Sequence, residues 1–203
     1  MDEHGTILVR KRLYRAQVMA FIAQLPPTRI GMEACGGAHS WARRLREHGH
    51  EVQLMAPQFV KPDVQTNKND RRDAEAITAA VTRPTMHFVP TKDVAQQDLQ
   101  ALHRVHERLR GERTALVNEV HGLMHEYGMV LPKGGAKFRQ AVVEKLESEQ
   151  DKLTPLSQEM FWQLVEEFGA LEKQLAYYQE TLAALATTHP ESQRLLTIPG
   201  IGP

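Results

Sequence analysis

The chain has 203 residues, 41% of them hydrophobic, enough for one good core with an appendage or for two small domains. Its 25 Lys and Arg cancel its 25 Asp and Glu, but residues 1–90 hold 13 basic against 9 acidic residues, a net of +4, which makes the first half the better partner for a polyanion. Cys35 is alone, which excludes an intrachain disulfide; no apolar run approaches a membrane span, and MDEHG lacks the basic-then-apolar pattern of a secretion signal, so the chain reads as cytoplasmic.

Up to residue 90, short β-rich runs alternate with helix-sized amphipathic segments. After the turn DEHG, TILVRKRL (6–13) suits a strand, and RAQVMAFIAQL (15–25) has helical spacing through Val18, Phe21, Ile22 and Leu25 before Pro26-Pro27 stops it. TRIGMEAC (28–35) reads as a strand running into the Gly36-Gly37 turn. AHSWARRLREHG follows as a helix that buries Ala38, Trp41, Ala42 and Leu45 and ends at Gly49. HEVQLMA (50–56) is a further strand, TNKNDRRDAEAI starts a helix that runs to Ala80, and HFVP (87–90) is a last short strand. This β-α-β-α-β order predicts an open, largely parallel α/β sheet with right-handed crossovers.

Beyond residue 90 the pattern is helical almost throughout. Leu99, Leu102, Val105, Leu109, Leu116, Val120 and Leu123 mark a long helix over 95–128; the polar loop LPKGGAK follows, then a helix from about Phe138 to Glu149. Thr154-Pro155 has the form of an N-cap with proline in the first turn. Phe161, Leu164, Phe168, Leu171, Leu175, Tyr178, Leu182 and Leu185 alternate spacings of three and four, a seam that predicts a coiled coil, either back on the 95–128 helix or with another chain. An ordinary bundle helix remains the alternative. The domain reading is therefore 1–90 α/β, 91–188 helical, and 189–203, ending in TIPGIGP, as the start of something further.

Several residue groups are candidates for chemistry, each with a plainer explanation. His121 with His125, and His103 with His106, sit about one helical turn apart but lack a third ligand. Cys35, where a strand meets a Gly-Gly turn, is placed for a nucleophile, although a small buried residue is the commoner outcome there. IPGIGP is similar to the hairpin of helix-hairpin-helix modules, whose glycines let backbone N–H groups approach DNA phosphate, but any Pro-Gly turn looks alike. The carboxylates say more. Glu33 is the single acid in RIGMEAC, at the predicted carboxyl end of a strand, where open α/β sheets place their sites. Asp70 and Asp73, at i and i+3, face the same way on a helix and suit hard cations such as Mg2+, yet by spacing alone an N-cap with a first-turn acid explains them better.

The run GMEACGGAHSWARRLREHGHEVQLMAPQFVK, then NKNDRRDAEAI, then FVP, closely resembles the DEDD transposases of the insertion sequence 110 family, relatives of the pilin-gene invertase; the likeness extends through QQDLQALHRVHERLRGERTALVNEVHGLMHEYG to TIPGIGP. It implies a RuvC-like, ribonuclease-H-type domain whose four acids bind Mg2+ or Mn2+. Glu33 matches the family's glutamate, and Asp70 and Asp73 match its last two aspartates. The first aspartate has no match here, since Asp2 and Glu3 read as turn residues. Nor do Ser40, Ser148, Ser157 or Ser192 match the serine that the family uses to attack DNA. The expectation is thus an incomplete RuvC-like domain and a helical coiled coil, truncated at both ends and inactive by itself.

The resemblance further implies DNA cleavage and rejoining at insertion-sequence ends, a structured guide RNA, and a homo-oligomer held by the long helices. Arg43, Arg44, Arg71 and Arg72, with Arg10, Lys11 and Arg12, are the candidates for tracking nucleic-acid backbone. Two other readings stay open: an oligomerisation fragment that modulates intact transposase, and a RuvC-like Holliday-junction resolvase, which would need a full acidic set and no coiled coil.

Overall fold

A computed structural model describes residues 6–60, 70–132 and 137–202, without the side chains of 70–72. The DEHG turn, the stretch 61–69 and the KGGA of the polar loop fall outside the described residues. The chain divides into two compact units between Gln97 and Asp98.

The first unit runs α1 (Arg15–Ile22), β1 (Arg29–Glu33), α2 (Ala38–Glu47), β2 (Glu51–Met55), α3 (Pro57–Val60), α4 (Asp70–Val81) and β3 (Phe88–Val89). The three strands lie in that order, with β1 and β2 parallel from Arg29 beside Glu51 to Glu33 beside Met55. Residue parity decides which helix covers which face. Val52 and Leu54 pack with Ala38, Ala42 and Leu45 of α2, joined by Ile30 and Met32 of β1. Met55, of the opposite parity, packs with Val60, Ala76 and Ala80, so α4 covers the other face.

Two expectations for this unit are corrected. TILVRKRL forms no strand: residues 6–14 have no regular structure, and Leu8 and Val9 are exposed, because β-prone residues make a strand only beside a partner edge. The sheet is also less parallel than predicted, since β3 runs antiparallel to β2, pairing Val89 with Leu54 and Phe88 with Met55. The segment after α4 returns the chain to the carboxyl end of β2, where Met86 packs beside Met55 and the His87 ring lies 6.3 Å from that of Phe59, so β3 sets off in the opposite direction. Where this two-residue strand stops, Arg46 Nη2 donates to the Val52 carbonyl at 2.8 Å.

The second unit holds most of α5 (Val94–Glu126), then α6 (Phe138–Ser148), α7 (Pro155–Thr188) and α8 (Pro190–Leu196). Asp93 and Gln96 open α5 with a reciprocal capping box, Gln96 N–H donating to Asp93 Oδ1 at 2.7 Å and Asp93 N–H to Gln96 Oε1 at 3.1 Å. Gly128, at φ +72°, closes it: Met129 N–H reaches back to the Met124 carbonyl at 2.9 Å, and both methionines are buried. Arg113 of α5 pairs with Glu172 of α7, and the Tyr127 ring meets that of Phe161 edge-on at 5.6 Å. Advancing along α5 means retreating along α7, so the two helices are antiparallel.

The seam on α7 faces this partner, but as a bundle stripe in its first half. Phe161, Val165 and Phe168 join Leu116, Val120, Met124 and the α6 residues Phe138, Val142 and Leu146 in one core. Val165, outside the predicted seam, is buried because α6 supplies a third wall and widens the stripe. Past Leu175 the seam emerges: Tyr178 and Leu182 are half-buried and Leu185 is 39% exposed.

Candidate metal and nucleic-acid site

Glu33 is the last residue of β1 and half-buried. Its parity matches that of Gly31, whose bare Cα lies under α4: a Cβ there would stand 3.0 Å from Val81 Cβ. Strand alternation therefore directs Glu33 to the face that α4 covers. Asp70 starts α4 and Asp73 lies in its first turn, half-buried; the side chains of Asp70, Arg71 and Arg72 are outside the described residues. Among the described residues, which do not include the Asp70 side chain, no three His, Cys, Asp or Glu side chains gather as a metal site. The donor chemistry suits a hard cation, since Glu33 and Asp73 offer carboxylate oxygens rather than sulfur or imidazole nitrogen.

The other sequence candidates separate by environment. Cys35 is exposed rather than buried, because it belongs to the turn beyond β1. The His121 ring packs 5.7 Å from that of Phe138, a structural place. A groove of about 870 Å³ between α6 and α7, lined in part by Lys137, Arg139, Glu166 and Lys173, carries both charges and none of the candidate acids.

The sequence model of the IS110 DEDD transposases, described as "Transposase", matches residues 1–129. The chain belongs to this transposase family. It is 44% identical over 204 residues to a probable family 20 transposase of Pseudomonas aeruginosa, covering all of this chain and 60% of the relative. It is 41% identical to the transposase for insertion sequence element IS1111A of Coxiella burnetii, covering all of this chain and 56% of that protein. It is also 41% identical to the transposase for IS1328 of Yersinia enterocolitica, covering 99% and 59%. The chain thus spans somewhat under two thirds of the length of these relatives.

The basic candidates of this chain differ in how they are held. Arg43 is half-buried, donating through Nη1 to the Lys92 carbonyl at 2.7 Å and through Nη2 to Gln97 Oε1 at 3.0 Å, so it fastens the start of α5 to α2. One turn earlier on α2, His39 Nδ1 accepts the Lys92 N–H at 3.2 Å. Burial, reinforced by the charges of Lys92 and Arg43, holds the His39 pKa below its ordinary value and keeps the ring neutral as that acceptor. Arg10 pairs with Glu75 of α4 at 3.1 Å, and Lys11 lies over the Phe21 ring. Arg44 is exposed and places its guanidinium over the Trp41 ring, as does Arg15. Sequence reasoning does not single out Arg15, Trp41 and His39 as site residues; only the tertiary approach of α1 and of the α5 start to α2 reveals them.

No helix among the described residues is long and apolar enough to cross a membrane.

Proposed function

We propose that this chain carries the metal-binding part of a DNA recombinase whose whole length cuts and rejoins DNA at insertion-sequence ends. The observation that carries the proposal is the shared face: Glu33 ends β1 on the side of the sheet covered by α4, the helix that begins with Asp70 and Asp73. Family membership and the family's DEDD name support reading these three carboxylates as ligands of Mg2+ or Mn2+ in a RuvC-like domain. Cations held by them would activate the attacking group and stabilise the leaving oxygen of a phosphodiester. Glu33 belongs to β1 and Asp73 to α4, which pack against each other, and ligands carried on regular elements limit the rearrangement that metal and phosphate binding require.

In this proposal the first aspartate and the attacking serine, neither matched in this sequence, belong to the whole transposase. This stretch by itself binds metal and DNA without exchanging strands. The bacterial relatives, all transposases by name, support a place of action on bacterial DNA in the cytoplasm, at the nucleoid, and the resemblance supports a structured guide RNA as a second partner. The half-exposed end of the α7 seam, from Tyr178 to Leu185, supports a homo-oligomer in which a second copy completes a coiled coil.

Paramagnetic resonance of Mn2+ titrated into this chain tests the metal reading. Bound ion is expected, with Glu33→Gln and Asp73→Asn each weakening binding at least tenfold. Equal affinity in the parent and both variants overturns it.

A further inference from the structure

We propose that Arg15, Trp41 and Arg44 form a docking point for the phosphate backbone of DNA. The inference rests on the reading that this chain acts on DNA and adds a place where the backbone is held.

Two helices each bring one guanidinium to the same indole. Arg15 opens α1, four residues before Met19 and seven before Ile22, both of which pack toward α2. It thus prolongs the packed face of α1 beyond its apolar part. Trp41 borders the buried stripe of Ala38, Ala42 and Leu45, and Arg44 follows it by three residues on the same helix. The guanidinium carbons of Arg15 and Arg44 lie 5.3 Å and 5.4 Å from the centre of the Trp41 ring. A cation–π contact with the ring uses no N–H to a carboxylate, so the guanidinium N–H groups are left to bond phosphate oxygens. It also orders the long side chain in advance, so less freedom is lost on binding.

Charge at this point is not neutralised locally. Arg10, Arg29, Arg108, Arg110 and Arg113 each pair with a glutamate. Among the described residues, Arg15 and Arg44 have the indole as partner and no carboxylate. Two exposed cations presented on an aromatic ledge fit a polyanion. Position favours the DNA strand as that polyanion. Glu33 ends β1, a short turn follows, and α2 begins at Ala38, so the start of α2 adjoins the sheet edge where Glu33 stands. Trp41 is the fourth residue of α2, about one helical turn (~5 Å) from that end. Open α/β sheets take their ligands at that edge.

Fluorescence anisotropy of a labelled DNA duplex, titrated with this chain across a range of salt, tests the proposal. Arg15→Gln with Arg44→Gln is expected to weaken binding about tenfold and to reduce the slope of log affinity against log salt by roughly 2, about 1 for each phosphate no longer neutralised. Arg29→Gln with Arg108→Gln, an equal charge change at two ion-paired sites, leaves both unchanged, and Trp41→Phe, which keeps an aromatic ledge, retains binding. Circular dichroism melting of each variant establishes that it folds. An unchanged salt slope in the double variant overturns the docking point while leaving the DNA reading in place. An equal loss in the Arg29→Gln, Arg108→Gln pair overturns it as general electrostatics. Tighter binding of RNA than of DNA, lost in the double variant, overturns the assignment to DNA. Absence of DNA binding by the parent chain overturns this inference together with the DNA reading, whereas the Mn2+ experiment on Glu33 and Asp73 is untouched by any of these results.

Discussion

Gly31 and Val81 meet so closely that a Cβ on Gly31 would lie 3.0 Å from Val81 Cβ and 3.2 Å from Met55 Cε. The absence of a side chain in the middle of β1 is what lets α4 settle on the sheet. Gly31→Val is therefore expected to destabilise the chain by about 1–3 kcal/mol through overpacking. Because α4 carries Asp73, Mn2+ affinity should fall as well. Urea unfolding and metal titration check both, and unchanged stability would show that α4 yields without cost.

Phe161 is fully buried where α5, α6 and α7 meet, whereas Leu185 is 39% exposed near the end of α7. Phe161→Ala is expected to cost about 3–5 kcal/mol. Leu185→Ala at low protein concentration should cost well under about 1 kcal/mol, as exposed sites do. If a second copy covers the end of the seam, Leu185→Asp lowers the sedimenting mass without unfolding the monomer, and an unchanged mass distribution at every concentration counts against that oligomer.

Thr154 Oγ1 accepts the Ser157 N–H at 3.2 Å, and Pro155 occupies the first helical position of α7. Thr154→Ala removes one partner from the orphan donors of that helix end and should cost about 0.5–2 kcal/mol, while Thr154→Ser should cost little. Thermal melts of the two variants distinguish the hydroxyl from the methyl.

His39 gives stability a pH dependence of defined sign. Its pKa is held low in the folded chain, by burial first and then by Lys92 and Arg43, whereas the unfolded chain takes up the proton at the ordinary value near 6.5. The neutral ring's contribution is complete above about 6.5 and is lost as pH falls from there through the lower folded value, because the unfolded state then binds more protons. His39→Asn, which retains an acceptor for the Lys92 N–H, should flatten this part of the profile. Urea midpoints at several pH values between 5 and 7.5, roughly the range over which imidazole titrates, provide the check.

The elements that sequence predicts well are those with strong local periodicity or punctuation. The Pro26-Pro27 stop, the Gly36-Gly37 turn and the Thr154-Pro155 start each frame an element where expected. TILVRKRL misleads because β propensity reports a side chain's fitness for a pleated surface, not whether a neighbouring edge exists. The seam on α7 is legible, but its division into a bundle half and an emergent half is not, since α6 inserts into one end only. At the candidate site, Glu33 and the Asp70 to Asp73 spacing can be read along the chain. That Glu33 shares a sheet face with α4, and that Arg43 is engaged with Lys92 and Gln97 while Arg44 remains exposed, depends on contacts between distant segments.

The antiparallel pairing of α5 with α7 has a consequence for how force and position pass through the second unit. The two arms are of nearly equal length, 33 and 34 residues, or about 50 Å at the rise of an α-helix. Continuing the register in which Arg113 meets Glu172 and Tyr127 meets Phe161 sets the first residues of the unit opposite the end of α7. The polypeptide therefore travels about 50 Å out and the same distance back, and its net displacement over roughly ninety residues is only about the 8–10 Å that separates packed helices. Within this unit the hairpin therefore enters and leaves at one end, and the turn-back, where α6 packs between the two long helices, lies at the other.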